Sequence, residues 1–317
     1  MKTLNKSFFL KYFSKYYFFQ KPFRFNMLVN HKDVKSVISK SNLPIAGFTV
    51  NPYIGCAHAC KYCYADFMKR FTGHKEKWGS FVDVKHWPQI KNPKKYGGKT
   101  IIIGSVTDPY HQCEKEFLKT REFLEELKGI DVNLIITTKS SLISRDLDLI
   151  KTFPDPIISL SINTLDESFK NDMDNASSIA DRLETLKKFH SEDMKTVCFI
   201  SPIFPGITDV FEIINEVSDY VDYIWLENLN LRGGYKKTIL EYIREKYPKL
   251  EPLYEDIYTY KNNYYWKNLD EKLAGFANEN GYMYIIDEEP FLINPTDKPI
   301  MINYFYHEKI RQSSKNK

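Results

Sequence analysis

The sequence has no run of about 18 uncharged apolar residues, the length that a transmembrane helix requires. Its aromatic N-terminal stretch, SFFLKYFSKYYFF, is interrupted by Lys11 and Lys15, so it lacks the apolar centre of a secretory signal. These absences exclude the membrane and secreted classes on sequence grounds. We therefore expect a cytoplasmic protein that has no membrane partner.

Cysteine is scarce, with five residues in 317, and the number is odd. Three of the five, Cys56, Cys60 and Cys63, fall within eight residues of one another. A disulfide framework needs an even set of cysteines and an exported chain. The sequence therefore predicts a metal site in place of disulfides.

Acidic residues are absent from residues 1–26, which carry six Lys/Arg. They are rare in residues 69–99, where nine Lys/Arg accompany only Glu76 and Asp83. Because the whole chain has a net charge of only +4, this positive charge is local. The second basic segment has aromatic residues among its lysines, which indicates a nucleic-acid surface, a docking site for a partner protein, or a lid over the metal site. These aromatic residues are Trp78, Phe81, Trp87 and Tyr96.

Short apolar, β-branched runs alternate with helical patterns from about residue 48 onward. Such runs are typical of strands that are buried on both faces. Six strand-and-helix units in succession predict an α/β fold with a parallel sheet, in the form of a partial (β/α)6 TIM-like barrel. The predicted strands are 48–52, 100–104, 133–138, 157–162, 196–201 and 223–229.

The alternating pattern fades near residue 250. A helix near 265–279, a strand at 281–286 and a polar end then predict a capping extension. At the N-terminal end, Met27 could be the true translation start, in which case residues 1–26 would not belong to the native protein. We divide the chain into an N-terminal extension at 1–40, a barrel at 41–250, and a C-terminal cap and tail at 251–317.

The clustered cysteines have the spacing CxxxCxxC and directly follow the first predicted strand. Three thiolates can hold three irons of a [4Fe–4S] cubane, whereas ordinary ferredoxin sites supply four cysteines and close the cluster. The open fourth iron could be chelated by the amino and carboxylate groups of S-adenosylmethionine (SAM). A zinc site is the alternative, and it would need a fourth ligand such as His58 or His74. Otherwise His58 is interpreted as a loop residue.

Two cysteines lie outside the cluster motif. Cys198 falls within a predicted strand and is interpreted as a small buried hydrophobic residue. Cys113 follows the second predicted strand, on the side where such barrels keep their chemistry. It is either a candidate hydrogen-atom donor or an idle thiol.

The cysteine spacing, with the aromatic Tyr62 before the last cysteine, resembles the radical SAM superfamily. Further segments resemble its spore photoproduct lyase-like branch: GSVTDPY at 104–110, TTKSSLISRDLDLI at 137–150, ISLSINTLD at 158–166 and SPIFPGITD at 201–209. Within this branch, KSVISKSNLP and DFMKRFTGHKEKWGSFVDVK resemble the "radical SAM mobile pair protein B" group, whose members are encoded beside a second radical SAM protein.

This resemblance implies a radical SAM enzyme of a lyase-like family. Its reduced cluster would give one electron to SAM, and a 5′-deoxyadenosyl radical would abstract hydrogen from an unknown substrate. The implied partners are an external electron donor of flavodoxin or ferredoxin type and a co-encoded radical SAM protein. Two rival interpretations are a nucleic-acid-binding protein with a structural cluster and an accessory subunit of that second protein.

The resemblance also implies how SAM would be held. Spore photoproduct lyase relies on a cysteine just after its second strand, where this chain reads GSVTDPY, so repair of thymine dimers is not expected. Hydroxyl groups at the carboxyl edge of a parallel sheet are well placed for a ligand. The candidate contacts are Tyr62 at the adenine, Lys139 at the SAM carboxylate, Ser105 and Thr107 at the sheet edge, Ser159, Ser161 and Asn163 at the ribose, and Glu227, which could instead be a paired structural carboxylate.

Overall fold

The computed structural model describes residues 27–41, 43, 45–286 and 298–305. Its strands are β1 (Leu28–Asp33), β2 (Ile38–Lys40), β3 (Phe48–Val50), β4 (Tyr53–Ile54), β5 (Phe81–His86), β6 (Thr100–Ile103), β7 (Asn133–Thr138), β8 (Ile157–Ser161), β9 (Lys195–Ile203), β10 (Tyr223–Asn228), β11 (Met283–Ile286) and β12 (Ile300–Asn303). Its α-helices are α1 (Glu114–Phe117), α2 (Lys119–Leu127), α3 (Leu147–Ile150), α4 (Glu167–Met173), α5 (Ile179–His190), α6 (Val210–Val217), α7 (Gly233–Lys246), α8 (Glu251–Tyr258) and α9 (Tyr264–Asn280). Short 3₁₀ helices cover Tyr64–Phe71, Pro93–Tyr96, Ser141–Asp146 and Pro248–Leu250.

The main sheet has nine of these strands, in the order β11, β12, β10, β9, β8, β7, β6, β3, β2. All six predicted strands are present, and from β3 through β6, β7, β8, β9 and β10 each pairs in parallel with the next. Among the described strands, β2 and β11 are the edges of this sheet. The predicted α/β fold with a partial barrel is confirmed.

Three of the helices between these strands begin at capping side chains. Asp166, Ser178 and Asp209 each accept a backbone N–H bond at the start of α4, α5 and α6 respectively. Such caps satisfy amide groups that have no partner within the helix. They define where each helix begins relative to the strand before it.

Side chains of β8, β9 and β10 alternate between the two faces of the sheet. Ser161, Phe199 and Trp225 are aligned in register across the three strands. Two residues further along, the Ser201 hydroxyl donates a hydrogen bond to the Glu227 carboxylate. Towards the carboxyl ends, the inner face therefore changes from aromatic to polar.

A second sheet of three strands, with the order β1, β5, β4, was not predicted. β1 pairs in parallel with β5, and β4 pairs antiparallel with it. Phe81, Trp87 and Tyr96 are buried, so three of the four aromatic residues named above for the basic segment belong to the interior. The fourth, Trp78, is half-buried.

Beyond residue 250, the predicted helix and strand are present as α9 and β11. β12 was not predicted, and it pairs in parallel with both β10 and β11. The three-part division of the chain stays a prediction, and residues 1–26 and the polar end lie outside the described residues. No helix in the described part is long and apolar enough to cross a membrane.

Candidate active site

A cavity of about 1080 Å³ lies at the carboxyl ends of the parallel strands. Cys56, Cys60 and Cys63 line it together, on the loop that follows β4. Its walls also include residues that end β6, β7, β9 and β10. The six strands thus bring the predicted cysteine cluster to the edge of the sheet where ligands bind in such folds.

The three cysteines of the loop from Cys56 to Cys63 are buried or half-buried. Burial raises the pKa of each of its three thiols, although Lys139 counteracts this at Cys60 and Cys63. Thiolates at this place therefore need a positively charged centre beside them. Iron in a cluster would supply that charge.

The donor set fits a cluster better than a single ion. In the described part of the chain, no three His, Cys, Asp or Glu side chains converge on a point where one metal ion could bind. A tetrahedral zinc site requires such convergence. In a cubane each thiolate binds a different iron, so Cys56, Cys60 and Cys63 need only surround a common volume.

A tight turn, Lys77–Ser80, packs against the cysteine loop. The Ser80 amide donates to the Lys77 carbonyl at 3.0 Å, and Gly79 has a φ of +92°, as the third position of a type II turn requires. A Cβ on Gly79 would lie 2.8 Å from the Cα of Ala59. Only glycine lets the turn come this close to the cysteine loop.

This close approach brings the indole of Trp78 to the site. Its Nε1–H donates to the Cys63 sulfur at 3.2 Å. Hydrogen bonds to ligand sulfurs are among the factors that set the reduction potential of a cluster. The sequence placed Trp78 only in a basic, aromatic segment, because the turn that directs it becomes visible only in the folded chain.

Asp108 joins the cysteine loop to the end of β7. Its carboxylate accepts hydrogen bonds from the Thr138 hydroxyl and the Lys139 amide, both at 2.6 Å, and from the Tyr110 amide at 2.9 Å. The Nε2 of His58 lies 3.2 Å from it. Burial alone would raise the pKa of Asp108, but His58, Thr138 and Lys139 outweigh that effect and hold it well below its usual range.

Asp108→Ala is expected to lower the free energy of unfolding by about 1–3 kcal/mol, because it leaves buried donors without an acceptor. It should also reduce the iron bound per chain after reconstitution. Chemical denaturation and iron analysis measure the two effects. Asp131→Ala, which truncates an exposed aspartate, is the matched control. Equal losses in both variants would contradict this role for Asp108.

Tyr62 belongs to a second buried network. Its hydroxyl donates to Asp174 at 3.0 Å, and Asp174 accepts from the Arg182 guanidinium at 2.9 Å. Arg182 also donates to the carbonyls of Ser161 and Ser177, both at 3.0 Å. This arginine was not predicted from the sequence, and it connects the predicted adenine contact to the end of β8.

Most of the predicted SAM contacts lie together. Two of them, Ser105 and Thr107, are held by Asn51 in the turn after β6. The Asn51 side-chain amide donates to the Ser105 hydroxyl at 2.9 Å, and its side-chain carbonyl oxygen accepts from the Thr107 amide at 3.2 Å. The predicted contacts that line the cavity are Tyr62, Ser105, Thr107, Lys139, Ser161 and Glu227.

Three predicted site residues are not among the residues that line the cavity. Ser159 is fully buried, and its hydroxyl has no hydrogen-bond partner among the described residues. The Asn163 amide donates to the Pro202 carbonyl at 3.3 Å. Cys113 is buried in a separate hydrophobic cluster, with its sulfur 3.9 Å from that of Met27. The hydrogen-donor role of Cys113 stays a prediction.

The fold and the cavity define a partial α/β barrel that presents three cysteines at the carboxyl edge of its sheet. A family model described as the radical SAM superfamily matches residues 50–216, more than half of the chain. The chain belongs to the radical SAM superfamily and is an enzyme of the radical SAM type. Enzymes of this superfamily generally use a [4Fe–4S] cluster and SAM.

Two similar proteins are uncharacterized. MJ0683 of Methanocaldococcus jannaschii is 38% identical over 219 residues, which cover 68% of this chain and 82% of that protein. ORF301 of Acidianus two-tailed virus is 32% identical over 221 residues, which cover 63% of this chain and 73% of that protein. Neither name states an activity that could be compared.

Two similar solved structures carry ligands. A spore photoproduct lyase variant with bound AdoMet and dinucleoside spore photoproduct has a TM-score of 0.52 at 16% identity, covering 70% of this chain and 66% of the lyase. SuiB of Streptococcus suis, bound to the precursor peptide SuiA, has a TM-score of 0.50 at 13% identity, covering 84% of this chain and 50% of SuiB. At these identities the likeness shows the fold alone.

Proposed function

We propose that this enzyme holds a [4Fe–4S] cluster on Cys56, Cys60 and Cys63 and cleaves SAM reductively, so that a 5′-deoxyadenosyl radical can abstract hydrogen from a substrate. The observation that carries the proposal is the presence of all three cysteines in the wall of one large cavity at the carboxyl edge of the sheet. The electron would come from an external redox protein.

The residues of this chain would bind and orient SAM. Lys139 would neutralise the SAM carboxylate, and Asp108 would hold its backbone in place through the 2.6 Å bond to its amide. Tyr62, fixed by Asp174, would pack beside the adenine. The hydroxyls of Ser105, Thr107 and Ser161, which line the cavity, would contact the ribose and methionine groups.

The inner end of the cavity is proposed as the substrate site. Ile102, Phe199 and Trp225 make it apolar, and Glu227 gives it a carboxylate near the strand ends. These features support a substrate that combines an apolar body with a hydrogen-bond donor for the Glu227 carboxylate. The walls would exclude water from the radical.

The test is anaerobic reconstitution with iron and sulfide, followed by incubation with dithionite and SAM and quantification of 5′-deoxyadenosine by chromatography. We expect product only when reductant and SAM are both present. A protein that carries its full complement of iron and binds SAM, yet forms no 5′-deoxyadenosine, would contradict the proposal.

A further inference from the structure

The exposed surface beside Cys63 is basic and aromatic. Between residues 61 and 79 the chain has five Lys/Arg and two acidic residues, a net charge of +3. Phe67 and Phe71 are 45% and 64% exposed, and the Arg70 guanidinium lies 4.7 Å from the ring centre of Phe71. Exposed large apolar side chains beside unneutralised cations are typical of interaction surfaces.

Lys75 and Lys77 give this surface its available charge. Both are exposed, and none of the ion pairs formed within the described ranges includes either of them. Glu76 lies between them in the sequence, and its carboxylate contacts the His74 ring at 3.1 Å. It therefore forms an ion pair with neither lysine. The two lysines therefore present their charge to solvent.

Trp78 connects this surface to the cysteine loop. It is half-buried, and it directly follows Lys77 in the turn that packs against Ala59. Its indole N–H contacts the Cys63 sulfur at 3.2 Å. A partner protein bound at Lys75 and Lys77 would thus be separated from Cys63, a ligand of the proposed cluster, by the side chain of Trp78.

We propose that the surface formed by Phe67, Arg70, Phe71, Lys75, Lys77 and Trp78 docks an acidic one-electron carrier protein. The inference rests on the proposed function, because that reaction needs an electron that the chain cannot generate itself. Opposite charge guides the carrier to the lysines, and the apolar rings supply contact area. The electron then enters the cluster through the Trp78 and Cys63 side. The carrier is oxidised by one electron and the cluster is reduced by one.

The test compares two reductants on the cluster-loaded protein. Stopped-flow absorbance measures the rate constant of cluster reduction by a reduced flavodoxin, and separately by dithionite, at low and high ionic strength. For Lys75→Glu/Lys77→Glu we expect roughly a tenfold or greater loss of the flavodoxin rate constant at low ionic strength, and an unchanged dithionite rate. Added salt should reduce the difference between this variant and wild type.

Lys94→Glu/Lys95→Glu is the matched control, because these exposed lysines precede β6, at the opposite end of the strands. It should reduce as fast as wild type with either reductant. If the cluster is lost from the first variant, Lys75→Gln/Lys77→Gln is tested in its place. We then expect a smaller loss of the flavodoxin rate constant and again an unchanged dithionite rate.

Three outcomes would overturn the docking surface. The first is a flavodoxin rate constant unaffected by reversing Lys75 and Lys77, and the second is an equal loss in the Lys94/Lys95 control. In the third, the variant loses binding of a fluorescein-labelled single-stranded oligonucleotide, as measured by anisotropy, but keeps the wild-type rate constant with flavodoxin. The surface would then be a nucleic-acid-binding surface. By contrast, a wild-type protein that assembles no cluster would overturn the proposed function itself.

Discussion

Cys60→Ala is expected to eliminate 5′-deoxyadenosine formation and most of the reconstituted iron. With two cysteines remaining, a cubane would have two irons without protein ligands, where the proposed site leaves one for SAM. Since Cys60 lines the cavity beside Lys139 and Tyr62, the change also alters the wall that would face SAM. Iron and sulfide analysis, the absorbance spectrum and the product assay measure the effect.

Cys198→Ala is the matched control for this variant. Cys198 is fully buried in β9 and belongs to the hydrophobic core, away from the cavity wall. Its truncation should cost modest stability and leave iron content and product unchanged. If Cys60→Ala kept wild-type iron and product, or if Cys198→Ala lost both equally, the assignment of the cluster to Cys56, Cys60 and Cys63 would fail.

Arg182→Met is expected to produce a large loss of stability. Arg182 is 1% exposed, and its removal leaves Asp174 buried without its closest cation. Breaking a buried ion pair from one side typically costs about 3–5 kcal/mol. We expect about 3 kcal/mol here, the lower end of that range, because Lys170 still lies 3.9 Å from Asp174. Chemical denaturation measures the change in the free energy of unfolding.

Two further variants make this prediction specific. Arg182→Met combined with Asp174→Asn removes the uncompensated charge and should recover part of the loss. Arg244→Met breaks a pair in which the Arg244 side chain is 66% exposed, and it should cost much less stability than Arg182→Met because solvent screens the pair. Equal costs for Arg182→Met and Arg244→Met would show that the buried network has no special role. A lowered affinity for SAM in Arg182→Met alone would agree with the support that Asp174 gives to Tyr62.

The six core strands could be predicted because their residues alone determine them. Runs such as TIII in β6 are apolar on both faces, and only a strand between two layers buries them in full. The sequence LVNHKD in β1 has no such pattern. It forms a strand because β5 offers it a parallel partner, and that pairing joins positions about fifty residues apart. Pairing of this kind depends on tertiary structure and leaves no periodic pattern.

In the candidate site, too, features set by the local sequence could be predicted and features set by tertiary contacts could not. The spacing of the cysteines is local, so the sequence was sufficient to predict their common role. Asp108 was part of a segment that the resemblance singled out, yet its contacts with His58 and Thr138 come from three separate elements. Arg182 lies on α5, far along the chain from Tyr62, and meets it only through Asp174. The one available signal for Asp108 was its place in the segment GSVTDPY, which follows a buried parallel strand.

The pairing of β12 with β10 has a consequence for the order in which the protein is made. Tyr223 of β10 pairs with Ile300, 77 positions further along the chain, and Tyr304 just beyond β12 lines the cavity. At roughly 5–20 residues per second of synthesis, the β10 edge waits roughly 4–15 seconds for its neighbour. The three cysteines leave the ribosome well before β12 is synthesised, and at that time the cavity still lacks the wall that contains Tyr304. The wall that Tyr304 contributes is therefore the last part of the cavity to be completed during synthesis.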